Sequence, residues 1–468
     1  MPNLLIIFHY CHRFPNFVLS YLSFFQECYM LDKLFGWGRK RPELPEPDIQ
    51  FGRYSDNNKP VQKVDRWTDA DNLFKEKKYQ ESFDAFFDYL RDDALQNVVH
   101  EREGPQGRFH FYQGSKIVRG NYNHEHLHAE VTLAKMPHPS VPVMRRLLEM
   151  NFTLYYSRYA LDGEKLCMRF ESDIETANPN KLYYGLKELA TKADKQDDLL
   201  VQDFSSLQTL DTEHINEIPL AEKELKYEFL QNWLKETLDY TSTLDGDKFS
   251  GGIAYLLLAL AYRIDYLIVP EGRMLIEIEQ IVDIYFKKDE KSTAEKNRDM
   301  IDAFKKFQSK PKEEVFSFLF RSKHTFAIVA PQNYKTIADV IHNANQNIAW
   351  YRENKHPLIA EKIAEYGFAY CQYSYSLPKP VTEYFQVFMM VNYHDFFTAL
   401  GFGIELYNNS TKTFNAEEII ERVKNVENKW RSKFPHLNFK TENLKFGSLA
   451  EFNLAFTSEI EHLSLETK

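Results

Sequence analysis

The chain has 468 residues, 58 basic and 68 acidic, for a net charge of −10, and 15% of it is aromatic. A chain this long exceeds one ordinary hydrophobic core, so two or three domains are expected, and its modest Gly and Pro content excludes a low-complexity or disordered polymer. No basic run is longer than Arg39-Lys40-Arg41, which leaves a nucleic-acid backbone little counter-charge and argues against such a partner.

Residues 1–29 are apolar at 4–8 and 17–25 but interrupted by His9, His12, Arg13 and Pro15. A bilayer span needs about 20 predominantly apolar residues and a signal peptide an unbroken apolar centre. The sequence from Met30 to Phe35 resembles an ordinary protein start. Residues 1–29 therefore read as an upstream extension, in preference to a membrane anchor or a packed helix. Cys11, Cys28, Cys167 and Cys371 are scattered without paired spacing, as expected of free thiols in a reducing, cytoplasmic compartment.

Residues 30–64 read as a linker, with Pro42, Pro45, Pro47 and Pro60 among polar residues. Asp65 is expected to cap a helix with Ala70, Leu73 and Phe74 on one face, followed by a second with Tyr79, Phe83, Phe86, Phe87 and Leu90 in a stripe. The α+β unit, 65–211, continues with strands near 97–103, 108–112, 116–122 and 126–134. A helix around Leu147 and Leu148 follows, then a strand through Phe152, Leu154 and Tyr156, and its partner through Leu166, Met168 and Phe170. Asn178-Pro179 then opens a long helix, the asparagine as cap and the proline in its first turn.

In the first two helices Ala70, Leu73, Phe74, Tyr79, Ser82 and Phe86 stand at the small and large packing positions of a tetratricopeptide repeat, which the hairpin resembles. Lys77 and Ala94 depart from that pattern, and no second copy follows. A single such unit cannot bury its own face, so the hairpin is expected to pack on the neighbouring sheet. The order of elements from Met144 to Ala193, with the run Leu147-Leu148-Glu149-Met150-Asn151-Phe152 and its hairpin, is similar to the type III secretion chaperone fold shared by a bacterial sensory-transduction-regulator family. That resemblance implies a protein-binding or self-associating sheet and no catalytic site.

Residues 218–468 read as an all-α domain. Helices are expected over 220–244, 250–269, 272–288, 293–308, 336–354, 358–375, 381–400 and 416–433, punctuated by Pro270, Pro311, Pro331, Pro357, Pro378 and Pro380. The run 253–262 is apolar all round, yet Arg263 and Asp265 follow at once. It reads as a central buried helix rather than a membrane span, and a buried Arg263 would require an acidic partner. The aromatics from Tyr366 to Phe397 occupy both helical faces: they are expected to pack chiefly in the core, with some left near the surface, and use at an interface is the alternative reading.

One motif bears on chemistry. His124, Glu125 and His128 formally match the HExxH zinc-peptidase pattern, which needs a helix to bring both imidazoles to one metal. Leu127, Ala129, Val131 and Leu133 alternate with His126, His128, Glu130 and Thr132, which is strand periodicity, and strand spacing carries residues 124 and 128 about 13 Å apart. The strand is the expected state; binding of a metal by His126 and His128 with help from elsewhere is the remaining metal reading. No phosphate loop, dinucleotide fingerprint or nucleophile elbow occurs, and no catalytic, metal or cofactor residue is assigned. The expectation is a non-catalytic protein-binding, adaptor or chaperone-like protein with a protein partner or self-association. The alternative is a zinc-dependent hydrolase using His124, Glu125 and His128.

Overall fold

In the computed structural model, which describes residues 46–56, 59–210, 215–403 and 405–467, an α+β front half is followed by a helical back half. The expected extension 1–29 and the first part of the expected linker, with Cys11 and Cys28, lie outside the described residues. Two helices, α1 (Val61–Lys75) and α2 (Tyr79–Leu90), form the hairpin. The first starts directly after Pro60, ahead of the expected Asp65 cap, because proline presets the extended backbone that precedes a helix. Lys77 turns the chain with φ +62°. Ser82 donates to the Ala70 carbonyl at 2.7 Å, a contact that its small side chain permits between the two helices.

The strands are β1 (Val98–Glu103), β2 (Gln106–Gln113), β3 (Lys116–Tyr122) and β4 (His126–Lys135). After α3 (Val141–Asn151) come β5 (Ser157–Asp162) and β6 (Lys165–Asp173). The antiparallel order is β1-β2-β3-β4-β6-β5, with the two-residue β7 (Gln208–Thr209) added to β4. Period-two alternation sorts the faces. Phe109, Phe111, Val118, Leu127, Ala129, Val131, Met168 and Phe170 are buried under the hairpin and α4 (Pro179–Asp203), while His110, Arg119, His128, Glu130 and Arg169 share the opposite, polar face. Asn178 caps α4 by accepting from the Lys181 amide, as expected. A Cβ on Gly185 would meet the Phe170 ring at 2.5 Å, so glycine sets how closely α4 approaches the sheet.

One expected strand begins later than expected. The apolar residues Phe152, Leu154 and Tyr156 belong to the turn after α3, and β5 begins only at Ser157. Asn151 ends α3 and bonds the Tyr159 amide at 2.8 Å, so the chain completes a turn before it extends.

In the back half, two-residue strands pair as β8 (Asn216–Glu217) with β9 (Phe320–Arg321) and as β10 (Tyr407–Asn408) with β11 (Thr413–Phe414). Helices α5 (Leu220–Ser242), α6 (Ser250–Arg263), α7 (Gly272–Phe286), α8 (Thr293–Gln308) and α9 (Lys312–Ser317) lead to α10 (Tyr334–Gln346) and α11 (Ile348–Glu353). Helices α12 (Pro357–Ser374), α13 (Lys379–Asn392), α14 (His394–Ala399), α15 (Ala416–Trp430) and α16 (Leu449–Glu461) complete it. The expected helices 336–354 and 381–400 each divide in two, at Asn347 and Tyr393, and α9 and α16 had no counterpart in the sequence reading. Ser250–Ile268 is long and apolar enough to cross a membrane by length and composition, but 89% of it is buried inside the fold, as expected for the central helix. Its last turn, Ile264–Ile268, is π-helical. Most of the aromatics from Phe368 to Phe397 are core, including Phe368, Tyr384, Phe385, Phe388, Phe396 and Phe397.

Two strips of chain cross between the sheet core and the helical core. Residues 49–56 of the expected linker are packed, not free. Gly52 (φ +70°) donates its amide to the Tyr266 carbonyl at 2.9 Å, where an added Cβ would strike the Tyr266 ring. Arg53 bonds Asp265 at 2.8 Å and stacks on Tyr373, and Asp56 accepts from Tyr183 of α4. The second strip, residues 320–326, carries Phe326 out of the helical half and into the sheet core against Phe111 and Tyr183. Residues Ile49–Lys468 accordingly group as one compact unit.

Under the sheet, Lys116 (1% exposed) and Asp197 (3%) pair at 2.8 Å. Removing one charge strands the other in a low-dielectric interior. Lys116→Met is expected to destabilise the fold by about 3–5 kcal/mol in urea unfolding, and the double variant Lys116→Met/Asp197→Leu to recover most of that loss.

Candidate functional site

His124 and Glu125 stand in the turn before β4, where the Asn123 carboxamide accepts from the Glu125 and His126 amides at 2.7 and 2.8 Å. His126 and His128 lie within β4 on its polar face, bonded to Asp173 at 3.0 Å and Glu171 at 3.3 Å of the neighbouring β6. A strand therefore occupies the place where the zinc-hydrolase alternative needs a helix, and His124 and His128 do not share a helical face. Among the described residues no group of three or more His, Cys, Asp or Glu is placed to hold a metal. Burial pushes the Cys167 thiol up to about 12 and raises that of Cys371 as well, so neither supplies a thiolate.

A cavity of about 420 Å³ at the seam of the two halves is lined by Ser322, His324 and Glu271. Ser322 Oγ lies 2.9 Å from His324 Nε2 and donates to Glu271 at 2.6 Å, an arrangement that resembles a nucleophile with its base. The opposite ring nitrogen decides its chemistry. Gln113 accepts from the Thr325 and Phe326 amides through Oε1, so its amide nitrogen faces His324 Nδ1 at 3.2 Å and can only donate. A neutral His324 must then carry its proton on Nε2, and a charged one carries it there too. In both states Ser322 meets an N–H and not a lone pair, so the pair is structural.

The third feature lies on the solvent side of α3 and the turn that follows it. Phe152 and Tyr155 are each 92% exposed, and Leu148, Tyr156 and Tyr184 are also exposed. Arg145, Leu148 and Phe152 fall at i, i+3 and i+7 on one helical face. Arg145 and Arg146 are exposed and have no carboxylate within ion-pair distance among the described residues. Glu188 of α4 fixes the turn by accepting from the Tyr155, Tyr156 and Ser157 amides at 2.8 to 2.9 Å and from the Ser157 hydroxyl at 2.7 Å. Burial works against its charge, but these donors prevail and hold its pKa below the usual carboxylate value. The Glu188 and Asn151 bonds also occupy the outward-facing Ser157 and Tyr159 amides of edge strand β5, which blunts strand addition there. A signal of this surface lies in the residue pattern: apolar residues at both parities, 152, 154, 155 and 156, do not fit a half-buried strand. Glu188 as its organiser left no such signal.

The chain matches no protein-family model and no curated protein.

Beside the seam cavity, burial, Asp197 and Glu271 push the Asp194 carboxyl up to about 7. In the unfolded chain the same group loses its proton near about pH 4. The native state therefore holds an extra proton between these values; this contribution to stability is full below about pH 4 and lost as pH rises through about 7. Asp194 Oδ1 accepts from the Ser115 amide and hydroxyl, bonds that an asparagine oxygen can also accept. Asp194→Asn is expected to gain stability relative to the parent steadily from about pH 4 to about pH 7 in urea unfolding, and to hold that gain at pH 8. Parallel pH profiles for the two proteins would contradict the assignment.

Proposed function

We propose that the protein is a non-catalytic, cytoplasmic binding or adaptor protein that docks an acidic, apolar segment of another protein on the outer face of α3 and its turn. The observation that carries this reading is the pairing of two almost fully exposed aromatics, Phe152 and Tyr155, with a turn held in place by four hydrogen bonds to Glu188. An aromatic held in its binding conformation loses little freedom on docking, which is how anchor residues gain affinity. The unpaired Arg145 and Arg146 select the sign of the partner, since positive groups beside an apolar anchor favour a segment rich in Asp and Glu. The resemblance of this region to the secretion-chaperone fold supports a protein-binding sheet, and that of the hairpin to a tetratricopeptide repeat agrees with it.

The test places a photo-crosslinking amino acid at position 152 in the full chain, in cells of the natural source. Crosslinks to another protein, mapped to an acidic segment and lost on Arg145→Glu/Arg146→Glu, are expected. These exposed substitutions should change stability by no more than about 0.5 kcal/mol. Crosslinks only between copies of the chain, or crosslinks that survive the charge reversal, would overturn the reading.

A further inference from the structure

A second cavity, of about 500 Å³, opens in the helical half between α5, the end of α6, α12 and the junction of α13 with α14. Arg263 forms part of its lining. The residue is 5% exposed and stands where α6 passes into the π-helical turn. Its Nε donates to Glu365 at 3.0 Å, and its guanidinium lies 4.6 Å from the Tyr393 ring centre and 5.6 Å from that of Trp233. The acidic partner required by a buried Arg263 is thus Glu365, fully buried.

Glu365 is heavily shared. Its second oxygen accepts from Tyr393 at 2.5 Å and from Lys362 at 2.8 Å. One fully buried carboxylate therefore serves two cations, and its pKa is pulled down to about 2 although burial opposes this. The terminal nitrogens of Arg263 make no hydrogen bond among the described residues, yet a buried guanidinium normally spends its donors on partners. Trp233 and Phe396 add flat apolar walls, their centroids 5.3 Å apart. Glu236 and Asp395 also line the cavity and are exposed.

We propose that this cavity is a binding site for a small monocarboxylate with a flat, apolar body: the carboxylate takes the free terminal nitrogens of Arg263 and the body lies against Trp233. Planar guanidinium donors match the two oxygens of a carboxylate, and the volume is that of an ordinary small-molecule site. Lys362 is shared between Glu365 and Glu361, at 2.8 and 3.8 Å, so the unspent donors at depth are those of Arg263, and they suit a single negative charge. The exposed Glu236 and Asp395 repel ligands of higher charge, so a free phosphate is disfavoured. The site is separate from the docking face on α3 and stands or falls independently of it.

The probe is benzoate, with benzylamine and inorganic phosphate as comparisons, added at millimolar concentration to the full chain containing 5-fluorotryptophan. The Trp233 signal, one of five tryptophans, is assigned with Trp233→Phe. Benzoate is expected to shift that signal saturably and to bind about tenfold more tightly than either comparison compound. Arg263→Gln should abolish the shift. Because that variant leaves Glu365 buried with one cation fewer and can fail to fold, Thr237→Trp, which fills the cavity from α5, is the second test and should weaken benzoate at least about tenfold. No saturable benzoate shift, benzylamine or phosphate binding as tightly as benzoate, or benzoate binding unaffected by Thr237→Trp would each overturn the proposal.

Discussion

The side-chain amide of Gln113, fully buried at the end of β2, holds the two halves of the molecule together. Its oxygen accepts from the Thr325 and Phe326 amides, and its nitrogen donates to the Phe326 carbonyl and to His324 Nδ1. Asn97 and the Gly114 amide bond the same strip at the His324 and Lys323 carbonyls. All four hydrogen-bonding positions of one buried amide are thereby used, the condition under which a buried polar group specifies a structure instead of destabilising it. Phe326 is delivered into the sheet core, and the strip extends the sheet half's packing into the helical half. The same amide sets the tautomer of His324 and so removes the Ser322–His324 pair from nucleophilic chemistry.

The charges at the end of the central helix follow a related logic. Arg263 and Asp265 interrupt an apolar run, and each is answered from elsewhere in the sequence, by Glu365 and by Arg53. The Arg53 answer comes from the strip that composition marks as a linker. Proline there sets an extended backbone, and an extended backbone can lie in a groove as readily as it can hang free. Gly52 permits the close approach to Tyr266, and Arg53 supplies the ion pair.

Much of the architecture was legible in the sequence because local signals and tertiary packing agree. The alternation in 126–134 gives β4 and removes the zinc-peptidase geometry; Asn178-Pro179 marks the start of α4; Ser292 with Glu295 caps α8 at its expected first residue. The failures share a cause. Phe152, Leu154 and Tyr156 look like a buried strand only if apolar residues are assumed to be inside; here Phe152 and Tyr156 are exposed, and the turn that carries Tyr156 is held by Glu188, a residue of a later helix. The divisions at Asn347 and Tyr393 and the strip 320–326 are likewise set by distant partners. The chemistry of the Arg263 cavity was half legible: an acidic partner was required by charge burial, but its sharing with Lys362 and Tyr393 is a property of helix packing alone.

The proposed docking face on the sheet half and the proposed ligand cavity in the helical half belong to one rigid body only if the seam is as strong as the cores it joins. Amide hydrogen exchange in increasing urea measures this directly. If the Gln113 clamp makes one cooperative unit, the amides of β2 and those of α12 and α13 open with the same free energy and the same urea dependence. Helical-half amides that open at clearly lower free energy than those of β2, or the reverse, would show two independent bodies and contradict the account.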